Sequence, residues 1–214
     1  MFDIIVRVAR AIASYPRLSI LRHLVRNGET LPTELAGTLG VPLNTLSTHL
    51  RVLSTCGLVS GRRSGVNCHY AALSPYGPGT LSGSLTAWLQ KLLADHDSDE
   101  HNSELLEVRD YASDDDRAVD AAIFEAATAF TDARRLQVLR HLEACGQADG
   151  ESLEAELHMS ADAVSRHTTK LRRRGYIGAH RRPDRTLVYA LSPEPKTAIH
   201  GRLFELIRKA WQQA

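Results

Sequence analysis

The chain repeats itself. Leu21-Arg22-His23-Leu24 recurs as Leu139-Arg140-His141-Leu142, 118 positions later. At the same offset Leu35 answers Leu153, Leu39 answers Leu157, Ser47 answers Ser165 and His49 answers His167. Leu53 then matches Leu171, Gly57 matches Gly175, and Ser74-Pro75 matches Ser192-Pro193. A register held without a gap across a whole helical core implies two copies of one module. The 214 residues are enough for two such cores. The expected division is a first domain over 1–95, a linker over 96–116 and a second domain over 117–214.

Within the first copy the most informative stretch runs from Leu39 to Tyr70. Leu43, Leu46, Leu50 and Leu53 recur at helical spacing and form one narrow apolar stripe. Asn44, Thr48, Arg51 and Thr55 lie opposite, a polar row carrying one fixed charge. Gly57 follows where a left-handed cap is expected. A short apolar run, a basic turn Arg62-Arg63-Ser64-Gly65 and a second strand ending at Tyr70 complete a β-hairpin. A helix with one dry face and one face of donors and acceptors, followed by a basic hairpin, has the form of a winged helix-turn-helix. The remaining helices are expected over Phe2–Ser14, Pro16–Arg26, Pro32 or Thr33 to Gly40, and Leu81–Ala94. The fold class is therefore mainly α with small β-hairpins, as two tandem winged helix-turn-helix domains.

The second copy differs on its outer face. Asp162, Arg166, Thr169 and Arg173 lie away from the apolar stripe, and Thr168 stands where the first copy has Leu50. Ser160 is a good N-cap. The second hairpin turn, His180 to Arg185, holds three arginines and Pro183-Asp184. Different groove-facing residues imply different base preferences.

The run E-L-A-x-x-L-G-V over Glu34–Val41, then L-S-T-H-L-R-V-L over Leu46–Leu53, then G-L-V before a basic hairpin, resembles the ArsR/SmtB winged-helix repressors. The resemblance is close from about Arg17 to Tyr70. It implies a dimeric bacterial transcriptional repressor, released from its operator by a metal ion or another small signal. It also places His49 among the signature positions of the recognition helix.

The candidate DNA-binding residues follow. In the first copy they are Asn44, Thr45, Ser47, Thr48, His49 and Arg51 on the helix, with Arg62 and Arg63 on the wing. In the second they are Ser165, Arg166, His167, Thr169 and Arg173, with Arg181, Arg182 and Arg185. Asn pairs bidentately with adenine and Arg with guanine. Ser47 and Ser165 lie on the flank, where phosphate is nearer than a base edge. By angle, His49 and His167 sit beside the apolar stripe, so packing competes with DNA contact for them.

A net charge of +1 argues against a nucleic-acid binder until its distribution is seen. From Asp95 to Asp120 there are eleven acidic and two basic residues, leaving 24 of the 26 basic and 14 of the 25 acidic residues elsewhere, a net of +10. Phosphate attraction is decided by local patches. The acidic stretch reads as a solvated linker with a small apolar island at Leu105, Leu106 and Val108. If flexible, some 20 residues reach about 25 Å. That suffices for the two copies to pair within one chain through their first and last helices, where Trp88 and Trp211 lie. A homodimer in which first copy meets first copy is the competing arrangement.

No site of the family's usual metal type is expected. The third helix has no cysteine, and His96 and His200 lack the paired spacing that a tetrahedral site needs. Asp95–His101 would hold a divalent ion only loosely. No cofactor is expected, and no catalytic motif is present, so the chain does not read as an enzyme. Cys56 and Cys68, absent from the second copy, suggest a thiol-based sensor repressor as one alternative. A winged-helix protein-interaction module without DNA binding is another. With no apolar run near the roughly 18 residues of a membrane span, and three cysteines, a cytoplasmic setting is expected.

Overall fold

A computed structural model describes residues 2–94 and 116–212. The first half runs α1 (Phe2–Ile12), α2 (Tyr15–Asn27), α3 (Pro32–Leu39), α4 (Leu43–Thr55), β1 (Ser60–Ser64), β2 (Asn67–Ala71) and α5 (Leu81–Leu93). The second half runs α6 (Asp116–Ala127), a 3-10 turn (Thr128–Phe130), α7 (Ala133–Cys145), β3 (Gln147–Asp149), α8 (Gly150–Leu157) and α9 (Ala161–Arg173). It closes with β4 (Ile177–Arg181), β5 (Leu187–Leu191) and α10 (Ala198–Gln212). The architecture is mainly helical with small antiparallel hairpins, a winged helix-turn-helix fold. The expected acidic linker lies outside the described residues except for Asp116, which belongs to α6 instead.

Local signals set most boundaries. Pro16 sits in the first turn of α2 and Pro32 opens α3, where a missing N–H costs nothing. Thr80, Asp132, Asp149 and Ser160 each accept a backbone N–H at the start of α5, α7, α8 and α9. Gly57 closes the turn after α4 at φ +67°, and the Tyr76 ring lies where its Cβ would be, so only glycine fits there.

The second half contains an element absent from the sequence reading. β3 pairs with β5, making a three-stranded sheet in the order β3-β5-β4. In the first half the corresponding contact is one isolated bridge, Thr30 to Tyr70. The hairpin tips also differ. β1 and β2 are joined tightly at Gly65-Val66, and Val66 is fully exposed. β4 and β5 are joined through Arg182–Thr186, where the Arg182 N–H bonds the Thr186 carbonyl and Arg185 takes φ 69°. Pro183 and Asp184 followed by a left-handed residue form a three-residue hairpin loop.

The two halves share one core. α1 lies against α6, the 3-10 turn and α7, while α5 lies against α10. Tyr15 stacks on Phe124 with centroids 4.7 Å apart, and Arg10 donates to the Thr131 carbonyl at 3.0 Å. Arg22 and Arg26 both grip the Asp116 carboxylate at 2.7 Å. Arg22 also reaches Asp120, whose carboxyl is pushed up by burial and held back by that guanidinium. Trp88 and Trp211 are both buried.

Candidate nucleic-acid interface

α4 separates its two faces cleanly. Leu46, Leu50 and Leu53 are at most 1% exposed, while Asn44, Thr45, Ser47, Thr48 and Arg51 are all exposed. Leu43 departs from the expected stripe and is 46% exposed. It opens the helix directly after Pro42, one turn before the first buried leucine. Ser47, Thr48 and Thr55 donate to the carbonyls of Leu43, Asn44 and Arg51 at 2.8, 3.1 and 2.8 Å. Their lone pairs, not their protons, therefore face outward, and a phosphate contact requires them to exchange that bond. Asn44 Oδ1 accepts from the Thr45 N–H at 2.8 Å, so the Asn44 amide is anchored at the helix start.

α9 has the same division with more charge. Val164 and Leu171 are buried, and Ser165, Arg166, Thr169 and Arg173 are exposed. Thr168 takes the place of a core leucine at 1% exposure. Its hydroxyl donates to the carbonyls of Val164 and Ser165 at 2.8 and 3.2 Å, so the helix seats with no unsatisfied hydroxyl. Two further exposed or half-exposed cations, Lys170 and Arg172, belong to the same end of α9 and escaped the sequence reading. The run Lys170 to Arg174 was the available signal. Burial, and then Arg174, Arg135 and Arg173, push the Lys170 ammonium down, the sign of a crowded cationic surface.

One candidate needs correction. His167 is 5% exposed and cannot reach a groove from there. Its Nδ1 lies 4.0 Å from Asp132 Oδ1, too far for a hydrogen bond. Burial pushes its pKa down, opposed by Asp132. His49 is half-buried, and burial, then the Arg17 guanidinium, push it down as well. Both histidines turn toward the body of the protein because their helical angle places them at the edge of the apolar stripe.

The wing arginines also fall into two kinds. Arg62 and Arg63 lie on β1, not in its turn, and successive strand residues point to opposite faces. Arg62 is held by Glu29, Nε to Oε1 at 2.9 Å and Nη2 to Oε2 at 2.6 Å. Its bond to Arg62 holds the Glu29 carboxyl below the usual range. Arg63 is exposed and has no ion pair among the described residues. In the second wing Arg182 approaches Asp149 at 3.7 Å, while Arg181 bonds the Arg185 carbonyl at 3.1 Å. In both halves one wing arginine is thus tied to an acid just before the third helix.

The two thiols face different elements. The Cys56 sulfur lies against the Arg7 carbonyl of α1 at 3.6 Å, and Cys68 sits across β1 beside Gly61 and Tyr70. Both are free. Burial pushes the Cys56 thiol up, against the pull of Arg7 and Arg17. A protonated, buried thiol is a poor redox sensor. No group of three or more metal-ligating side chains occurs among the described residues. No described helix is long and apolar enough to cross a membrane.

An α2–α3–α4 array with an outward polar helix and a hairpin beside it is a helix-turn-helix with a wing. Residues 17–62 match the family model of a helix-turn-helix domain. Over 73 residues the chain is 36% identical to a protein of Streptomyces lividans described as a "probable mercury resistance operon repressor", a match covering 34% of this chain and 58% of that one. The chain thus spans little more than half the length of that relative. It is also 33% identical to a homodimeric winged helix-turn-helix DNA-binding domain of Mycobacterium bovis, described as a possible ArsR-family transcriptional regulator. That match covers 42% of this chain and 75% of the other, with a TM-score of 0.35.

Proposed function

We propose that this protein is a transcriptional repressor of the ArsR type that binds a specific site on double-stranded DNA. The observation that carries this reading is the two-faced α4. Leu46, Leu50 and Leu53 are sealed in the core while Asn44, Thr45, Ser47, Thr48 and Arg51 are exposed, within the stretch that matches a helix-turn-helix model. α4 and α9 enter the major groove. Asn44 and Arg51 in the first half, and Arg166, Thr169 and Arg173 in the second, read base edges. Arg63, Arg181 and Arg185 lie on flanking phosphate or in the minor groove.

The two halves act as one intramolecular pair. The α1–α6 and α5–α10 contacts cover the faces that a single-module protein would offer to a second copy. Two recognition helices in one chain, with different outer faces, suit an asymmetric site whose halves are about 34 Å apart. Selection of genomic fragments by the purified protein, followed by footprinting, tests the reading. The expected site is asymmetric and protected by one chain. A palindrome bound by two chains would defeat the intramolecular pair, and failure to enrich any fragment would defeat DNA recognition itself.

A further inference from the structure

A cavity of about 380 Å³ lies under the C-terminal end of α4, between α1, the turn before α5 and the end of α10. Ile4, Ile5, Val8 and Leu81 make its walls apolar, and Arg7 and Tyr76 stand at its rim. The volume, and a mainly apolar surface with polar groups from Arg7, Thr55, Tyr76, Thr80 and Ser82 among its walls, match small-molecule sites in general. No carboxylate is among the described residues that line it. Among the described residues the Arg7 side chain makes one hydrogen bond, from Nε to the Asp3 carbonyl, and it is long at 3.4 Å.

The equivalent place in the second half is bridged by ion pairs. Arg174 ends α9 as Cys56 ends α4, and Glu125 stands in α6 where Arg7 stands in α1. There Glu125 joins Arg174 at 2.9 Å and Lys196 at 2.7 Å. Lys196 lies over Gly175 as Tyr76 lies over Gly57. The second half thus carries its own anion between its cations. The first half has a cation, an apolar hollow and no anion.

We propose that this cavity binds a small carboxylic acid with an apolar body. The carboxylate meets the Arg7 guanidinium and the Tyr76 hydroxyl, and the body lies against Ile4, Ile5, Val8 and Leu81. Occupancy acts on α4 through its end. Cys56, the last residue before the turn, is fixed from two sides, by the Ser82 hydroxyl on its carbonyl at 2.7 Å and by the Arg7 carbonyl on its sulfur. A ligand that spreads α1 from the α5 turn therefore tilts the recognition helix. The binding stands on the cavity alone; its effect on DNA rests on the function proposed above.

Calorimetric titration of the full chain with 2-naphthoate and with its neutral amide, 2-naphthamide, tests the site. Binding of one 2-naphthoate per chain is expected, weakened about tenfold or more in Arg7→Gln, the loss expected for a charged hydrogen bond. The amide should bind more weakly and be indifferent to Arg7→Gln. Ala210→Phe, at the half-buried cavity edge, should abolish binding while circular dichroism and thermal unfolding remain those of the parent. Equal binding of acid and amide, an unchanged affinity in Arg7→Gln, or no binding to the parent protein at millimolar acid would each overturn the proposal. DNA retention with and without 2-naphthoate is read separately. Acid binding without any DNA binding leaves the site intact and removes the repressor reading; DNA binding without acid binding does the reverse.

Discussion

Arg17 and Arg135 perform the same task in the two halves. Arg17 Nε donates to the Ala11 carbonyl at 2.6 Å and Nη2 to the Arg10 carbonyl at 2.6 Å. Arg135 Nε donates to the Ala129 carbonyl at 2.7 Å and Nη2 to the Thr128 carbonyl at 3.0 Å. Arg17 closes the end of α1 from the start of α2, and Arg135 closes the 3-10 turn after α6 from the start of α7, where the last carbonyls have no intrahelical partner. A planar fork with fixed N–H directions suits two adjacent carbonyls, and an ammonium does not.

Replacing either arginine by alanine should therefore destabilise the fold by about 1–3 kcal/mol, the range for losing hydrogen bonds to a charged group with carbonyls left behind. Arg→Lys at the same positions should recover less than half of the loss. Urea denaturation of both pairs of variants provides the measurement. A full rescue by lysine would show that charge at the helix end, not the fork, matters.

The pH dependence of stability should carry the mark of His200. Burial is the main cause that pushes its pKa from 6.5 to about 4, and its Nε2 has no hydrogen-bond partner among the described residues. The folded state binds its proton more weakly than the unfolded state does. Between pH 6.5 and about 4 the unfolded state thus holds more protons, and stability falls as pH falls. The contribution is intact above pH 6.5, and its full loss amounts to roughly 3 kcal/mol. His49 and His167, both pushed down, add in the same direction. Urea midpoints at pH 7.5, 5.5 and 4.5 should decline for the parent and decline less for His200→Asn. Parallel curves would assign the loss to other groups.

Much of this fold is legible in the order of residues because short-range rules decide it. The buried Leu46, Leu50 and Leu53 follow from helical spacing, and Pro16, Pro32 and Ser160 mark helix starts where steric and capping rules place them. What escapes is long-range. Nothing near Arg62 in sequence announces Glu29, 33 residues earlier, as its partner. Nothing near Gln147 announces pairing with Ala190. Asp116 reads as the end of an acidic linker, yet Arg22 and Arg26 make it part of the joint between the halves. His167 falls at a stripe edge, where a few tens of degrees decide between groove and core. The cavity beside Arg7 is hidden for a related reason, since its walls come from four segments far apart in the chain.

Oxidation should leave DNA binding unchanged. The Cys56 thiol is buried and pushed up, and it faces α1 while Cys68 faces the hairpin. Neither the thiolate population nor the placement favours a Cys56–Cys68 bond. Retention of the selected DNA fragment by reduced protein, by hydrogen-peroxide-treated protein and by Cys56→Ser should agree within twofold. A loss on oxidation that Cys56→Ser prevents would restore the thiol-sensor alternative.

The two arginines of the first wing should prove unequal on DNA. Arg63 is exposed and unpaired among the described residues, so a phosphate can take it without breaking a bond. Arg62 must first leave the bidentate grip of Glu29. Each phosphate neutralised by a free cation adds about one to the steepness of the slope of log affinity against log salt. Arg63→Ala should reduce that slope by about one and weaken binding to all sequences alike. Arg62→Ala should change it by well under one. Glu29→Gln should strengthen binding at low salt, because it frees the Arg62 guanidinium and removes a negative charge from the same surface. Arg51→Ala should act differently, relaxing base preference at one position with a loss of about 1–3 kcal/mol there. Salt titrations of the four variants by fluorescence anisotropy separate these outcomes. A larger salt effect from Arg62 than from Arg63 would mean that the ion pair opens on DNA and that the wing turns its Arg62 face to the duplex.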